Sequence, residues 1–163
     1  MSGKSYLLLG LAALALVFIY TPVQAQSRPI QLSLFTPAQI FHESNSISGI
    51  RLNLIYGRNE SVTGLDWGFI NHTTTGISKG IQWGFISVAD SDFTGWQDNA
   101  VSVTRGSFKG FQSGIVNYSY NMSGFQLGLI NYAETMNGLQ VGLVNIIRQG
   151  GALPVLPIVN WSF

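Results

Sequence analysis

The chain contains no cysteine. That excludes a disulfide scaffold and a thiolate metal site, and it excludes a lipid-modified N-terminal cysteine. Charge is also scarce, at 9% of residues, while aromatics reach 12%, so much of the surface must stack on itself or meet something apolar. Beyond Lys4 there are seven basic and seven acidic residues with no basic patch, which sets nucleic acid aside as a partner. Enzyme signals are missing. The two histidines, His42 and His72, stand alone, no serine sits in a nucleophile elbow, and no glycine-rich phosphate loop precedes a helix. His42 and Glu43 are adjacent, so on a strand their side chains point apart. Asp90 and Asp92 lack the loop that follows in an established calcium site. No catalytic residue, metal site or cofactor is expected.

What is present is repetition. The phrase Gly, apolar, Gln, apolar, Gly, apolar, apolar, Asn starts at Gly49, Gly64, Gly80, Gly95, Gly110, Gly124 and Gly138, at intervals of 14 to 16 residues. Its last position holds Tyr56, Asn71, Ser87, Ser102, Asn117, Asn131 and Asn145. A fixed period over most of a chain means one small unit built many times. Alternation within the phrase is that of a strand. In the Gly124 copy one face carries Phe125, Leu127 and Leu129, and the other carries Gly124, Gln126, Gly128 and Ile130. Glycine inside a strand costs stability, and room for a large side chain on the neighbouring strand is its simplest reason. The repeat glycines and the asparagines Asn71, Asn117, Asn131 and Asn145 are read as structural, the asparagines as strand-end residues bonding turn backbone.

The ends differ from the middle. Residues 1–25 combine Lys4, an apolar run from Tyr6 to Tyr20, and Val23-Gln24-Ala25, the pattern of a secretory signal cleaved after Ala25. Residues 26–163 form one domain: an N-terminal strand segment over 26–48, the repeats over 49–147, and a closing strand over 154–163 in which Val159, Trp161 and Phe163 alternate with Ile158, Asn160 and Ser162.

Two architectures fit one strand per repeat. A β-solenoid would stack the repeats as coils, and it explains why repeat lengths show no odd–even alternation. A shallow closed barrel of about nine to ten short antiparallel strands is the leading expectation. The aromatic C-terminus, the strand count and the apolar stripe favour it, and closure would set the strand of Phe163 beside that of Ile30 and remove the edges. The stripe of Trp67, Phe69, Trp83, Phe85, Phe125, Leu127, Leu129, Leu139, Val141 and Leu143 would then be the outer belt. In a barrel Gly128→Leu would overfill the interior, whereas an outward glycine on a solenoid would accept it.

The Gly-x-Gln-x-Gly-x-x-Asn phrase, recurring in phase from Gly49 to Asn145, resembles bacterial surface-repeat proteins carrying runs of GLQLGLVN, and the β-flower fold. The stretch from Leu156 to Phe163 is similar as well. The resemblance implies a shallow repeat-built barrel and membrane or lipid association. The Gly95 copy departs from the pattern, with Asp98 at an apolar position and Asn99 in place of glycine.

One polar row is a candidate site. Arg51, Asp66, Gln82, Gln97, Gln112, Gln126 and Gln140 share one repeat position. They form either a hydrogen-bonding ladder that packs the interior or a polar ring reading a small ligand or lipid head group. The expectation is a non-enzymatic, exported envelope protein at the outer membrane, periplasm or surface of a Gram-negative bacterium, with a membrane, lipid or apolar ligand as partner. The alternative is a soluble β-solenoid adhesin or scaffold.

Overall fold

The computed structural model describes residues 27–163, and the signal-peptide reading of residues 1–25 falls outside them. The strands are β1 (Ser27–Phe35), β2 (Ala38–Gln39), β3 (Ser46–Asn59), β4 (Val62–Thr73), β5 (Ser78–Ala89), β6 (Phe93–Gln149) and β7 (Val155–Ser162). They make one sheet in the order β2-β1-β3-β4-β5-β6-β7.

The closed barrel is overturned. β1, β3, β4, β5 and the start of β6 pair parallel, each with the next, and the phrase glycines come into register as Gly49↔Gly64, Gly64↔Gly80 and Gly80↔Gly95. Only the ends are antiparallel: β2 lies on β1, and β7 lies on the last stretch of β6. The strands of Ile30 and Phe163 therefore sit at opposite ends of the sheet and do not meet. The chain is a β-solenoid in which each repeat makes one turn, and β6 is a single strand wound on itself through four phrases.

Each turn has a corner. Laid straight, the 12 residues of β4 would span about 40 Å. The link 74–77 can return only about 18 Å, yet β5 starts beside the start of β4. The chain must double back within the strand. It does so just after the second glycine of the phrase. Asp66 and Gly68 point inward, Phe69 and Ile70 both point outward, and Asn71 and Thr73 point inward again. The strand alternation expected to run through the phrase is thus shifted by one residue, and the pairing skips Phe69 and Phe85. This corner puts the terminal Asn on the same side as Gln. It also places Ile130 outside, not on the glycine–glutamine face.

The first glycine of each phrase serves backbone approach, not space for a large side chain. Gly80 has φ 121° and Gly124 has φ 131°, values that L side chains rarely adopt. A Cβ on Gly124 would collide with the carbonyl oxygen of Gly110, one turn below.

Inside, four residues per turn fill a narrow core. The apolar column runs through Val62, Phe93, Phe108, Met122 and Met136, all buried, with Phe93 and Phe108 stacked at 5.6 Å. A second column of small residues includes Thr73, Ala89, Thr104, Ser119 and Ala133, ending at Ile147. The remaining two columns are polar and consist mostly of amides. At the ends, Pro29 lies in the stretch of β1 that β2 leaves uncovered and Pro157 lies in the edge strand β7; each lacks a backbone donor, a device that blunts open edges.

Candidate functional site

The shared polar row is a straight ladder along the solenoid axis. Gln97 Nε2 donates to Gln82 Oε1 at 2.6 Å, Gln112 Nε2 to Gln97 Oε1 at 2.9 Å, Gln126 Nε2 to Gln112 Oε1 at 2.7 Å, and Gln140 Nε2 to Gln126 Oε1 at 2.7 Å. All five glutamines are fully buried. Every amide donates toward the N-terminal end, so the dipoles align and reinforce one another. The series ends on a carboxylate: Gln82 Nε2 donates to Asp66 Oδ2 at 2.7 Å. From the other side Arg51 grips Asp66 with two bonds of 2.7 Å, and its remaining nitrogen donates to His72 O at 2.9 Å. The bidentate pair supplies the charge-assisted bonds that a buried guanidinium needs. These seven residues form a column, not a ring around a lumen.

The phrase-end asparagines form a second ladder with the opposite sense. Asn117 Nδ2 donates to Asn131 Oδ1 and Asn131 Nδ2 to Asn145 Oδ1, each at 2.8 Å. Each also bonds backbone, Asn117 reaching Leu127 O and Asn131 reaching Val141 O, both at 2.9 Å. They are interior rungs and not turn caps. Two of the three copies that lack the phrase-end Asn follow one rule, and the third, the Gly80 copy, carries Gly84 and Ser87 and has neither amide. Where the Asn is missing from the end, an Asn at the second glycine position can supply the amide. Asn99 Nδ2 donates to Ser87 Oγ and Ser102 Oγ. In the first copy the register shifts, Gly57 and not Tyr56 pairs with Asn71, and Asn53 Nδ2 donates to Asn71 Oδ1 at 2.7 Å. The Asn99 substitution in the Gly95 copy is therefore inside and compensated.

Outside lies the apolar stripe, facing away from the core as the barrel reading had it, but on a solenoid. Three parallel rows cross the turns. One holds Ile50, Leu65, Ile81, Trp96, Phe111, Phe125 and Leu139. The next holds Leu52, Trp67, Trp83, Asp98, Ser113, Leu127 and Val141. The third, at the corner, holds Leu54, Phe69, Phe85, Ala100, Ile115, Leu129 and Leu143. Trp67, Phe69, Trp83 and Phe85 are each at least half exposed, and Phe69 stacks on Phe85 at 5.1 Å. Between the second and third rows runs a groove of about 710 Å³, floored by Asn53, Gly68 and Gly84 and walled by Leu34, Leu54, Trp67, Phe69, Trp83 and Phe85. A smaller groove of about 460 Å³ continues the same line at the other end, around Leu127, Leu129, Val141 and Leu143. Asp98 and Ser113 separate the two. Ser113 Oγ donates to Asp98 Oδ1 at 2.7 Å and accepts from Trp96 Nε1 at 3.1 Å.

His72 does not stand alone. Tyr56 Oη lies 2.8 Å from His72 Nδ1, His72 Nε2 lies 2.7 Å from Asp90 Oδ2, and Arg105 Nη1 donates to Asp90 Oδ1 at 2.7 Å. Four successive turns each contribute one member of this row. Burial pushes the Tyr56 phenol above its usual value, with the charges of Arg58, Glu43, Arg51 and Asp90 acting in smaller and opposing ways. The row ties four turns together. These residues do not share one repeat position: Tyr56 pairs with Ile70, and His72 with Arg58 and Val88, so the row runs diagonally across the turns and is visible only once they are stacked. His42 bonds its neighbour Ser44. Among the described residues no cluster of three metal-ligating side chains occurs.

No protein-family model, no curated protein and no solved structure matches the chain.

Proposed function

We propose that this protein is an exported, non-enzymatic β-solenoid that acts as an adhesin or scaffold and recognises an apolar partner through its outer face. The observation that carries this reading is the division of labour between the two sides of the strand. Inward groups are buried and hydrogen-bonded to one another, whereas the outward rows leave large aromatic and aliphatic side chains half exposed over many turns. Contiguous apolar patches of that extent mark interaction surfaces. Rigid stacking holds the rows in fixed alignment, so little side-chain or backbone order must be lost on docking.

The test is adsorption of the purified exported chain to methyl-terminated and hydroxyl-terminated surfaces, beside co-sedimentation with phosphatidylcholine vesicles. Retention on the methyl surface, reduced at least about tenfold by the triple change Trp67→Ser, Trp83→Ser and Phe85→Ser, is the expected result. Equal retention on both surfaces would remove the apolar face as the working surface. Strong vesicle binding would favour a membrane as the partner, the second reading, which the scarcity of charge across the three rows supports.

A further inference from the structure

The outer rows contain a single charged residue. Asp98 occupies the row of Leu52, Trp67 and Trp83, pairs in register with Trp83, and stands where the larger groove ends. None of the four ion pairs among the described residues includes it. It accepts a hydrogen bond from the Ser113 hydroxyl, a neutral donor. A small depression of about 200 Å³ lies around it, bounded by Trp83, Gly84, Asn99, Ala100, Gly114 and Ile115. An apolar channel thus opens at one end onto a carboxylate flanked by an indole.

From this charge complementarity we propose that the groove binds one single-chain amphiphile, its alkyl tail lying between the Trp67/Trp83 and Phe69/Phe85 rows and its ammonium head paired with Asp98. The inference rests on the reading of the outer face as the working surface and names its ligand class. Two features support it. The groove crosses β1, β3, β4 and β5, which at about 4.8 Å per strand is a centre-to-centre run of about 14 Å, suited to an alkyl chain. At the head, a cation gains charge attraction from the carboxylate and from the neighbouring Trp83 ring, an attraction that an anionic head would turn into repulsion and a neutral sugar head would lack. Face-to-face pairing of two copies fits less well. Asp98 lies midway along the rows, so a two-fold axis through the centre of the face would set two like charges against each other.

The experiment is calorimetric titration of the exported chain with dodecyltrimethylammonium, dodecyl sulfate and dodecyl maltoside, each below its micelle concentration. The expected result is one bound dodecyltrimethylammonium per chain, about tenfold tighter than either other amphiphile, with the advantage shrinking as salt is raised. Asp98→Asn keeps a side-chain acceptor for Ser113 and should lower affinity for the ammonium compound alone, to the level of the maltoside. Phe85→Ser should weaken all three. Equal binding of the three amphiphiles, or an unchanged ammonium affinity in Asp98→Asn, would overturn the head-group assignment while leaving the apolar face intact. No binding of any amphiphile would overturn the groove, and with adsorption to methyl surfaces also lost, the function proposed above.

Discussion

Arg51 and Asp66 lie one turn apart, 0% and 2% exposed, and form a two-bond pair at the N-terminal end of the glutamine ladder. Asp66 is the point where two donor series converge, the amides of Gln82 and the turns beyond it on one side and the guanidinium on the other. A buried ion pair is a weak source of net stability, but removing one partner leaves an uncompensated charge. Asp66→Gln would continue the ladder by one rung and strand Arg51. It should cost about 3–5 kcal/mol in urea unfolding. Arg51→Met combined with Asp66→Gln should recover most of that loss. A double variant no more stable than Asp66→Gln would mean the guanidinium is needed for its bond to His72 O, and not for the charge of Asp66.

The interchange of Gly and Asn within a turn is a second coupled pair. Asn99 fills, from the second glycine position, the space that Asn71 or Asn117 fills from the phrase end, and it bonds the hydroxyls of Ser87 and Ser102. Asn99→Gly should leave a gap and two hydroxyls short of a donor, and Ser102→Asn should crowd two amides into one site. Each alone is expected to lose about 1–3 kcal/mol. Together they recreate the common phrase and should lose less than the sum, by at least about 1 kcal/mol in a double-mutant cycle. Simple additivity would show that the two positions do not share a site.

Much of this architecture was legible in the chain, and the errors have definite physical sources. Period, strand content, inward Gln and outward aromatics all follow from alternation around Gln82, Gln97 and Gln126. The direction of pairing did not follow, because a terminal strand such as Val155–Ser162 can pair antiparallel at the end of a solenoid as well as in a barrel. The corner after Gly68 was also hidden. Two outward residues in succession read as the end of an alternating strand, which puts Asn71 in a turn. Its inward direction depends on the turn stacked above it, where it donates to Trp83 O. The repeat lengths, which show no alternation of short and long links, were the one sequence feature that pointed to the solenoid. The groove and its carboxylate were visible only as the irregular Asp98.

Glycine at the second phrase position is as restricted in the solenoid as it would be in a barrel. A Cβ on Gly128 would lie 2.6 Å from Asn117 Nδ2 and 2.8 Å from Gly114 O, although Gly128 sits on a solenoid wall. The expectation that a solenoid accepts Gly128→Leu is therefore incorrect, because this glycine faces the asparagine ladder and not the solvent. The substitution should cost about 1–3 kcal/mol or more and break the bond between Asn117 and Asn131. Leu127→Ser, next in sequence but outward, should change thermal stability by much less. Equal effects of the two would contradict the inward direction of Gly128.

The Tyr56–His72–Asp90–Arg105 row gives the fold an alkaline limit. Burial raises the Tyr56 phenol above its usual value of 10. A group whose folded value is raised contributes stability that is fully present below the unfolded value and is lost as pH climbs through the folded one. Unfolding free energy should therefore hold level up to about pH 10 and then decline as the phenol of the folded chain ionises. Tyr132 shifts in the same direction, because its hydroxyl donates to Glu134, so the two must be separated by variants. Tyr56→Phe should flatten the part of the alkaline decline that belongs to Tyr56, and it should also lower stability at neutral pH by about 1 kcal/mol, since His72 Nδ1 loses its partner. Urea unfolding at several pH values between 8 and 11, with phenolate absorbance followed in parallel, measures both effects. A Tyr56→Phe chain with the same alkaline slope as the unsubstituted one would show that the half-buried phenol is not the group that sets the limit.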